Sequence, residues 1–232
     1  MKAKKYQLVN SYFKVAKYNG LPQSILEIGD YLQKNGELPF NYRGNNWVYD
    51  AFCEKQKRDG VHLSQFLTPD ETVDRMIHFA RKYFTLYNNV LEPCCGTGQI
   101  TKELIKDGYN VTAFDIDQKM VDTCKLLYPD LNVHRNSFQD FILSSDQIIS
   151  NPPYELAELT EFLNWILTFQ PYGGISILLL PKGFVFKNKP KKLVEILRQF
   201  SILEMEDMRE EFARTKIRAE IVVLEKKWEE EL

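Results

Sequence analysis

From residue 89 onward, short strand-like segments alternate with amphipathic ones, and this alternation constrains the fold more than any other feature of the sequence. Most of the strand-like segments are apolar runs between turn signals, which is typical of strands buried on both faces. They read NVLEP, NVTAFDI, NVHRN, DQIIS and GGISILLLP. Between them, segments such as QITKELIKDG and AELTEFLNWILTF carry apolar residues at helical spacing. The pattern predicts an α/β fold with a doubly wound, mostly parallel sheet.

The ends of the chain depart from this alternation. SILEMED and IRAEIVVLEKK predict two strands in a hairpin-like pair, which adds an antiparallel C-terminal edge to the sheet. Residues 1–60 show helical spacing, so we expect a helical N-terminal extension before a single domain over residues 61–232. The segment TPDETVDRMIHFARKYF predicts a helix that Thr68 caps, with Pro69 in the first turn and Glu71 completing a capping box.

Composition and charge narrow the class of protein. The four cysteines form no C-x-x-C pair and the three histidines form no H-x-x-x-H, so we expect neither a disulfide framework nor a metal site. No apolar run has the length of a membrane span, and the N-terminus has no signal-peptide core, so we expect a cytoplasmic protein. The net charge of −2 does not indicate nucleic-acid binding. Two segments, residues 1–20 and residues 182–193, each contain five lysines and no acidic residue. These lysines serve either the solubility of an exposed face or contacts with phosphates.

A Gly-x-Gly turn lies between a predicted strand and a predicted helix in VLEPCCGTGQIT. A phosphate-binding turn would carry a third glycine at position 101, where this chain has Thr101. Glu92, just before the turn, suits a cation such as an α-ammonium or a sulfonium better than a phosphate. The next strand ends on Asp115, about 19 residues after Gly96, where a carboxylate can bind two ribose hydroxyls, although it could also cap the next helix. We expect Asp117 to take that capping position and to free Asp115. These features indicate a nucleoside ligand without phosphates.

The sequence IISNPPY places two prolines directly after another predicted strand. Proline lacks an N–H group and favours extended geometry in the residue before it, so the backbone at Asn151 and Pro152 is rigid and presents acceptors. Carbonyl oxygens and one side-chain amide then face outward, where they can accept hydrogen bonds from an NH2 group. Tyr154 offers a flat face for a planar ring. The alternative interpretation is a tight turn that ends the strand.

Taken together, these motifs resemble class I S-adenosylmethionine-dependent methyltransferases, and most closely the gamma group of DNA adenine-N6 methyltransferases. The resemblance runs from SQFLTP at residue 64 to EIVVLEK, with FLTP, the glycine turn, the acidic strand end and NPPY in that group's order. It implies S-adenosylmethionine as cofactor. The cofactor-binding residues that it implies are Thr68, Glu92, Pro93, Cys94, Cys95, Gly96, Asp115, Ile116, Ser137, Phe138 and Pro153. Ser137 stands where the group usually has an acid for the adenine amino group. As cysteines, Cys94 and Cys95 are expected to be small packing residues at a crowded turn rather than catalytic thiols.

The resemblance also implies how the chemistry proceeds. Asn151 and Pro152 would accept both hydrogens of an adenine N6 amine, which makes the nitrogen a better nucleophile. Tyr154 would stack on a base that has left the duplex, and Phe212 would close its other face or serve only in packing. Lys187 and Lys189 are the candidate DNA contacts. We expect no separate target-recognition domain, so site choice would come from the N-terminal helices, from the lysine-rich loop or from a separate specificity subunit, unless the intrinsic specificity is weak.

Three alternatives remain open at this stage. The same pocket could methylate ribosomal RNA or a protein glutamine, because the NPPY motif recognises a planar NH2 group rather than a polymer. FLTP ahead of the glycine turn and the aromatic Phe212 favour DNA. The chain could also be a noncatalytic methyltransferase-like subunit, and Ser137 in place of the acid supports that interpretation.

Overall fold

The structure is a computed structural model, and it describes residues 68–142, 144–186, 190–208 and 218–228 of the 232-residue chain. The predicted N-terminal helical extension lies outside the described residues. So do three candidate substrate contacts, Lys187, Lys189 and Phe212.

Helices and strands alternate along the described residues as the sequence pattern predicts. The helices are α1 (Asp70–Tyr83), α2 (Gln99–Lys106), α3 (Gln118–Leu127), α4 (Leu156–Phe169) and α5 (Lys191–Arg198), with one 3-10 turn at Phe138–Asp140. The strands are β1 (Asn89–Pro93), β2 (Asn110–Asp115), β3 (Val133–Arg135), β4 (Gln147–Ser150), β5 (Ile175–Pro181), β6 (Phe200–Asp207) and β7 (Ala219–Lys226).

The seven strands form one sheet in the order β3-β2-β1-β4-β5-β7-β6. Neighbours from β3 to β5 are parallel, whereas β7 pairs antiparallel with both β5 and β6. The predicted α/β fold, with a mostly parallel doubly wound sheet and an antiparallel C-terminal pair, is confirmed. The sequence did not indicate that β7, rather than β6, would lie next to β5.

Helices cover both faces of the sheet. On one face, α1 and α2 bury an apolar cluster that includes Val90, Ile149 and Ile221, and α3 buries a smaller cluster that includes Ala113. On the other face, α4 and α5 bury a cluster around Phe162. Strands β1, β4 and β5 are buried along most of their length because both of their faces are covered. No helix among the described residues is both long and apolar enough to cross a bilayer.

Two polar contacts fix helices to the antiparallel end of the sheet. The Arg75 guanidinium on α1 binds the Glu206 carboxylate on β6 with both arms, at 2.9 and 2.5 Å. On the other face, the buried Lys226 ammonium on β7 donates to the carbonyls of Leu167 and Gln170, at 2.7 and 2.6 Å. Lys226 therefore satisfies carbonyl groups that the C-terminus of α4 would otherwise leave unbonded.

The predicted capping box at the start of α1 is wrong. The N-cap residue is Pro69, no side chain caps the helix, and the first backbone bond runs from the Val73 N–H to the Pro69 carbonyl at 2.9 Å. Thr68 lies one residue before the cap, and its hydroxyl instead accepts a hydrogen bond from the side chain of Asn151. The Thr68 hydroxyl therefore makes a tertiary contact instead of the helix cap that the local pattern predicted.

Candidate active site

The candidate site lies where β1, β2 and β4 end. The chain adds β2 and β3 on one side of β1 and then returns to add β4 on the other, so the connections diverge at this point. In parallel sheets such a switch point opens a crevice at the carboxyl ends of the strands. The segments that follow the three strands, beginning at Cys94, Ile116 and Asn151, all emerge at this edge.

The turn after β1 is built from left-handed backbone. Cys94, Gly96 and Gly98 have φ values of 59°, 55° and 79°. A methyl group added at Gly96 would meet no atom within 4 Å, whereas one added at Gly98 would lie 2.4 Å from the Cys124 sulfur on α3. The first glycine therefore leaves the crevice open, and the second allows the turn to pack closely against α3.

Glu92 and Thr101 form a buried pair beneath this turn. The Thr101 hydroxyl on α2 donates to a Glu92 carboxylate oxygen, and both residues are buried. Burial raises the pKa of Glu92 well above its ordinary value, although the bonds from Thr101 oppose this shift. Thr101 occupies the position where a phosphate-binding turn would have its third glycine, and here it ties the helix to the strand. Its departure from glycine was visible in the sequence, but its partner was not.

Asp115 joins the glycine turn to the turn after β2. One carboxylate oxygen accepts from the Gly96 N–H and the other from the Asp117 N–H, each at 2.9 Å. Helix α3 begins directly after Asp117, whose carbonyl accepts from the Val121 N–H at 3.2 Å, so Asp117 stands at the start of this helix as expected. A carboxylate oxygen can accept more than one hydrogen bond, so these contacts orient the group without using its full capacity. Burial raises the pKa of Asp115, and the backbone hydrogen bonds oppose that shift.

The residues predicted near the adenine end of the cofactor lie beside Asp115. Ile116 follows it directly and is 58% exposed at the edge of the crevice. The Asn136 N–H donates to the Asp115 carbonyl at 3.0 Å, which brings the end of β3 alongside. Ser137 accepts a bond from the Gln139 N–H at 3.3 Å and caps the 3-10 turn. Phe138 packs edge-on against Phe162 of α4, with 5.2 Å between ring centroids.

The NPPY segment begins at the end of β4. The Ser150 hydroxyl donates to the Pro93 carbonyl at 2.5 Å and so holds the ends of β4 and β1 together. The Asn151 amide nitrogen donates to the Thr68 hydroxyl at 3.2 Å, so two predicted site residues separated by 82 intervening positions meet. Pro152 is buried. Tyr154 is half-buried against the α1 face of the core, and burial raises the pKa of its phenol. Sequence reasoning missed Ser150, because nothing in its local pattern distinguishes it.

The two cysteines of the turn have the surroundings of packing residues. Burial raises the pKa of the Cys94 thiol well above its ordinary value. A hydrogen bond with Cys124 and then burial raise the pKa of the Cys95 thiol. Both sulfurs are therefore neutral thiols near neutral pH, a form that is a poor nucleophile. Within the part of the chain that the structure describes, no three His, Cys, Asp or Glu side chains are grouped to hold a metal ion.

Comparison with known proteins gives this crevice a family context. A model of the methyltransferase domain matches residues 90–157, which span β1 to the start of α4. A solved structure from Listeria monocytogenes, assigned to the class I S-adenosylmethionine-dependent methyltransferases, superposes with a TM-score of 0.62 at 16% identity. The superposition covers 98% of this chain and 88% of that one. The chain has the class I methyltransferase fold. S-adenosylmethionine, the cofactor expected from the sequence, is the cofactor of proteins with this fold.

Two sequence relatives of this methyltransferase-fold chain are methyltransferases by name. The modification methylase CviBIII of Paramecium bursaria Chlorella virus NC1A is 29% identical over 108 residues, which cover 44% of this chain and 27% of that protein. An rRNA adenine N-6-methyltransferase of Lysinibacillus sphaericus is 28% identical over 127 residues, covering 52% of this chain and 49% of that protein. The match thus spans between a quarter and a half of the relatives' length.

The crevice has the features that a nucleoside cofactor needs. The space beside Gly96 is open, so a ligand can approach the backbone there. The Asp115 carboxylate is already oriented by two backbone N–H groups at the same edge, and Ile116 exposes an apolar side chain next to it. These three residues suit a ligand that carries hydroxyl groups next to a planar ring.

Proposed function

We propose that the protein is an S-adenosylmethionine-dependent methyltransferase that methylates the N6 amine of adenine in DNA, with the target base flipped out of the duplex. The observation that carries the proposal is the side-chain contact between Asn151 and Thr68 at the end of β4. The amide nitrogen is the donor to Thr68, so the amide oxygen is the acceptor end of this side chain. With the Pro152 carbonyl next along the chain, this oxygen forms an acceptor pair suited to an NH2 group.

This acceptor pair addresses the chemical difficulty of the reaction. The lone pair of an adenine amine is spread into the ring, which makes the nitrogen a weak nucleophile. Hydrogen bonds from both N–H groups to the Asn151 oxygen and the Pro152 carbonyl favour a more electron-rich nitrogen. That nitrogen forms a bond to the methyl carbon as the carbon–sulfur bond breaks, and one amine hydrogen is lost to water as a proton. Positioning and fixed dipoles account for the acceleration, without a covalent intermediate.

Residues around the crevice would hold the cofactor in a defined direction. S-adenosylmethionine, when bound, supplies the methyl group on a positively charged sulfur. We assign its methionine end to Thr68 and the glycine turn, its ribose hydroxyls to Asp115, and its adenine ring to Ile116 and Ser137. The remaining residues assigned to the cofactor are Glu92, Pro93, Cys94, Cys95, Phe138 and Pro153.

DNA is the preferred substrate in this proposal, and ribosomal RNA is the second candidate. The viral relative is a modification methylase, which supports DNA, whereas the Lysinibacillus relative acts on rRNA adenine. Both substrates offer the same amine to Asn151. The proposal includes roles for Phe212, Lys187 and Lys189 in contacting the nucleic acid, and a separate specificity subunit, on the basis of the sequence resemblance.

The substrate is tested by transfer of tritium from labelled S-adenosylmethionine to DNA, total RNA and protein extract in parallel. Nuclease digestion then identifies the modified base, and we expect label in N6-methyladenine from DNA. Label confined to RNA adenine would establish the second candidate, and label confined to protein would overturn a nucleic-acid substrate.

The role of Asn151 is tested with a matched pair of variants. Asn151→Ala is expected to reduce methyl transfer by at least about 100-fold, the effect of removing one fixed hydrogen-bonding group from a transition state. Its affinity for S-adenosylhomocysteine should stay within about twofold of the wild type. Asn132→Ala, which removes an exposed asparagine before β3, should change neither quantity. Equal activity in the two variants would refute the role of Asn151.

A noncatalytic subunit predicts a different set of results. Such a protein would transfer no label and would bind S-adenosylhomocysteine weakly, and Asp115→Ala would leave that binding unchanged. If the crevice holds the cofactor as proposed, the same variant reduces the affinity, because it removes the carboxylate that meets the ribose.

A further inference from the structure

The segment that follows β5 presents an aromatic residue at the edge of the candidate active site. Two successive turns shape this segment, with hydrogen bonds from the Phe184 N–H to the Pro181 carbonyl at 2.8 Å and from the Phe186 N–H to the Gly183 carbonyl at 3.2 Å. The Lys182 N–H also donates to the Arg218 carbonyl at 2.8 Å, which fixes the segment to the start of β7.

These turns direct two phenylalanines to opposite environments. Phe184 is 8% exposed and packs into the core beneath α4 and α5, whereas Phe186 is 75% exposed. The buried ring anchors the turn, and the anchored turn holds the second ring in solvent. An exposed aromatic side chain on an ordered turn does not gain the free energy of hydrophobic burial unless a ligand covers it.

The segment that carries Phe186 leaves the sheet at the same edge as the predicted substrate pocket. Strands β4 and β5 are parallel neighbours, with Ser150 opposite Leu178, so Asn151 and the turn after Pro181 both follow the carboxyl ends of adjacent strands. Leu156, in the first turn of α4 after the NPPY segment, is also exposed at this edge. The pocket for the target base therefore has exposed apolar side chains beside it.

Several lysines lie close to Phe186 in the described sequence. Lys182 precedes it and shares the Asp207 carboxylate with Arg218. Lys191 and Lys192 stand exposed in the first turn of α5, a turn that contains no acid. Lysines are unfavourable at a helix N-terminus. Lys191 pairs with Glu195 on the same helix at 3.7 Å, whereas the position of Lys192 suits contact with an anion better than helix stability. An aromatic ring among lysines is the combination that binds nucleic-acid strands, with bases stacked on the ring and phosphates next to the cations.

We propose that Phe186 stacks on the nucleotide that neighbours the flipped adenine and so helps to hold the opened strand. This inference rests on the proposed function, and it adds a substrate contact that is distinct from the NPPY pocket. Stacking of a base on an aromatic side chain is sequence-tolerant because every base has a flat face. Phe186 would therefore strengthen binding without selecting a target sequence.

Three variants of the full chain test this inference. Phe186→Ala removes the ring, Phe186→Trp keeps a flat ring, and Tyr87→Ala removes a ring that is 99% exposed at the opposite edge of the sheet. Binding of a fluorescent adenine-containing duplex is measured by anisotropy in the presence of S-adenosylhomocysteine. Affinity for S-adenosylhomocysteine itself shows that each variant is folded.

We expect Phe186→Ala to weaken duplex binding by about fivefold to a hundredfold, the range for loss of one stacked base. Phe186→Trp and Tyr87→Ala should stay within about twofold of the wild type. The new tryptophan should also lose fluorescence when DNA is added, a change that a purely structural role would not produce. Unchanged binding by Phe186→Ala, in a wild-type protein that does methylate DNA, would overturn this inference alone. Failure of the wild type to methylate DNA would overturn the proposed function as well.

Discussion

Replacing Gly96 and Gly98 of the glycine turn by alanine, one at a time, should show which glycine is needed for packing and which for ligand access. At Gly98 the added methyl group would lie 2.4 Å from the Cys124 sulfur and 3.2 Å from a Leu131 methyl group. The left-handed backbone costs alanine about 1–2 kcal/mol, and such overpacking adds about 1–3 kcal/mol. Gly98→Ala should therefore lower the free energy of unfolding by about 2–5 kcal/mol.

Two other glycines serve as matched controls. Gly108 has a φ of 88° and no atom within 4 Å of an added methyl group, so Gly108→Ala should cost only the backbone contribution of about 1–2 kcal/mol. Gly96 also has open space, and Gly96→Ala should lower stability by no more than Gly108→Ala does. It should nevertheless weaken S-adenosylhomocysteine binding by at least about tenfold, because the methyl group fills the crevice.

The assay is urea denaturation without ligand, combined with calorimetric titration of S-adenosylhomocysteine. Adding Cys124→Ala to Gly98→Ala should restore part of the lost stability, because it removes the sulfur that the new methyl group overlaps. The packing argument is refuted if Gly98→Ala is no less stable than Gly108→Ala. The access argument is refuted if Gly96→Ala binds the ligand as tightly as the wild type.

Two further predictions concern buried ionisable groups. Because burial raises the pKa of Glu92, the native state keeps a proton that unfolded glutamate releases above about pH 4.3. The contribution of Glu92 to the free energy of unfolding is therefore fully present below that pH and is lost as the pH rises through the native pKa. Glu92→Gln should therefore flatten the fall in unfolding free energy between about pH 5 and 8 in urea titrations, and an unchanged slope would contradict this assignment. Lys226→Met removes two bonds to carbonyls at the end of α4 and should cost about 2–4 kcal/mol in the same assay. Methyl transfer at low temperature should be unaffected, because Lys226 lies at the edge of the sheet opposite the crevice.

Features that depend on local sequence were predictable. Most parallel strands are apolar runs bounded by turn residues, and β1 and β5 appear where NVLEP and GGISILLLP place them. The glycine turn and Asp115 share one edge because parallel strands end together, a geometric rule that needs no further information. Position and type of element therefore followed from periodicity alone.

Features that depend on pairing between distant segments were not predictable. The hairpin of β6 and β7 could have joined β5 through either strand, and only the packed structure selects β7. The pattern around Thr68 fits a helix cap, but the neighbouring Asn151 competes for the same hydroxyl. Thr101 was visible as a departure from glycine, yet its bond to Glu92 depends on which face α2 turns to the sheet.

The position of β7 between β5 and β6 has a consequence for the order in which the chain can fold. Strand β5 pairs with β7 along its whole length, from Ile175 opposite Glu225 to Pro181 opposite Ala219. During synthesis, the apolar β5 therefore emerges from the ribosome well before its partner does. Until β7 arrives, the partly folded domain exposes an open hydrophobic strand edge, which is a template for association with other chains. Completion of the sheet must then wait for a long-range contact, which slows folding relative to the local strand-helix units.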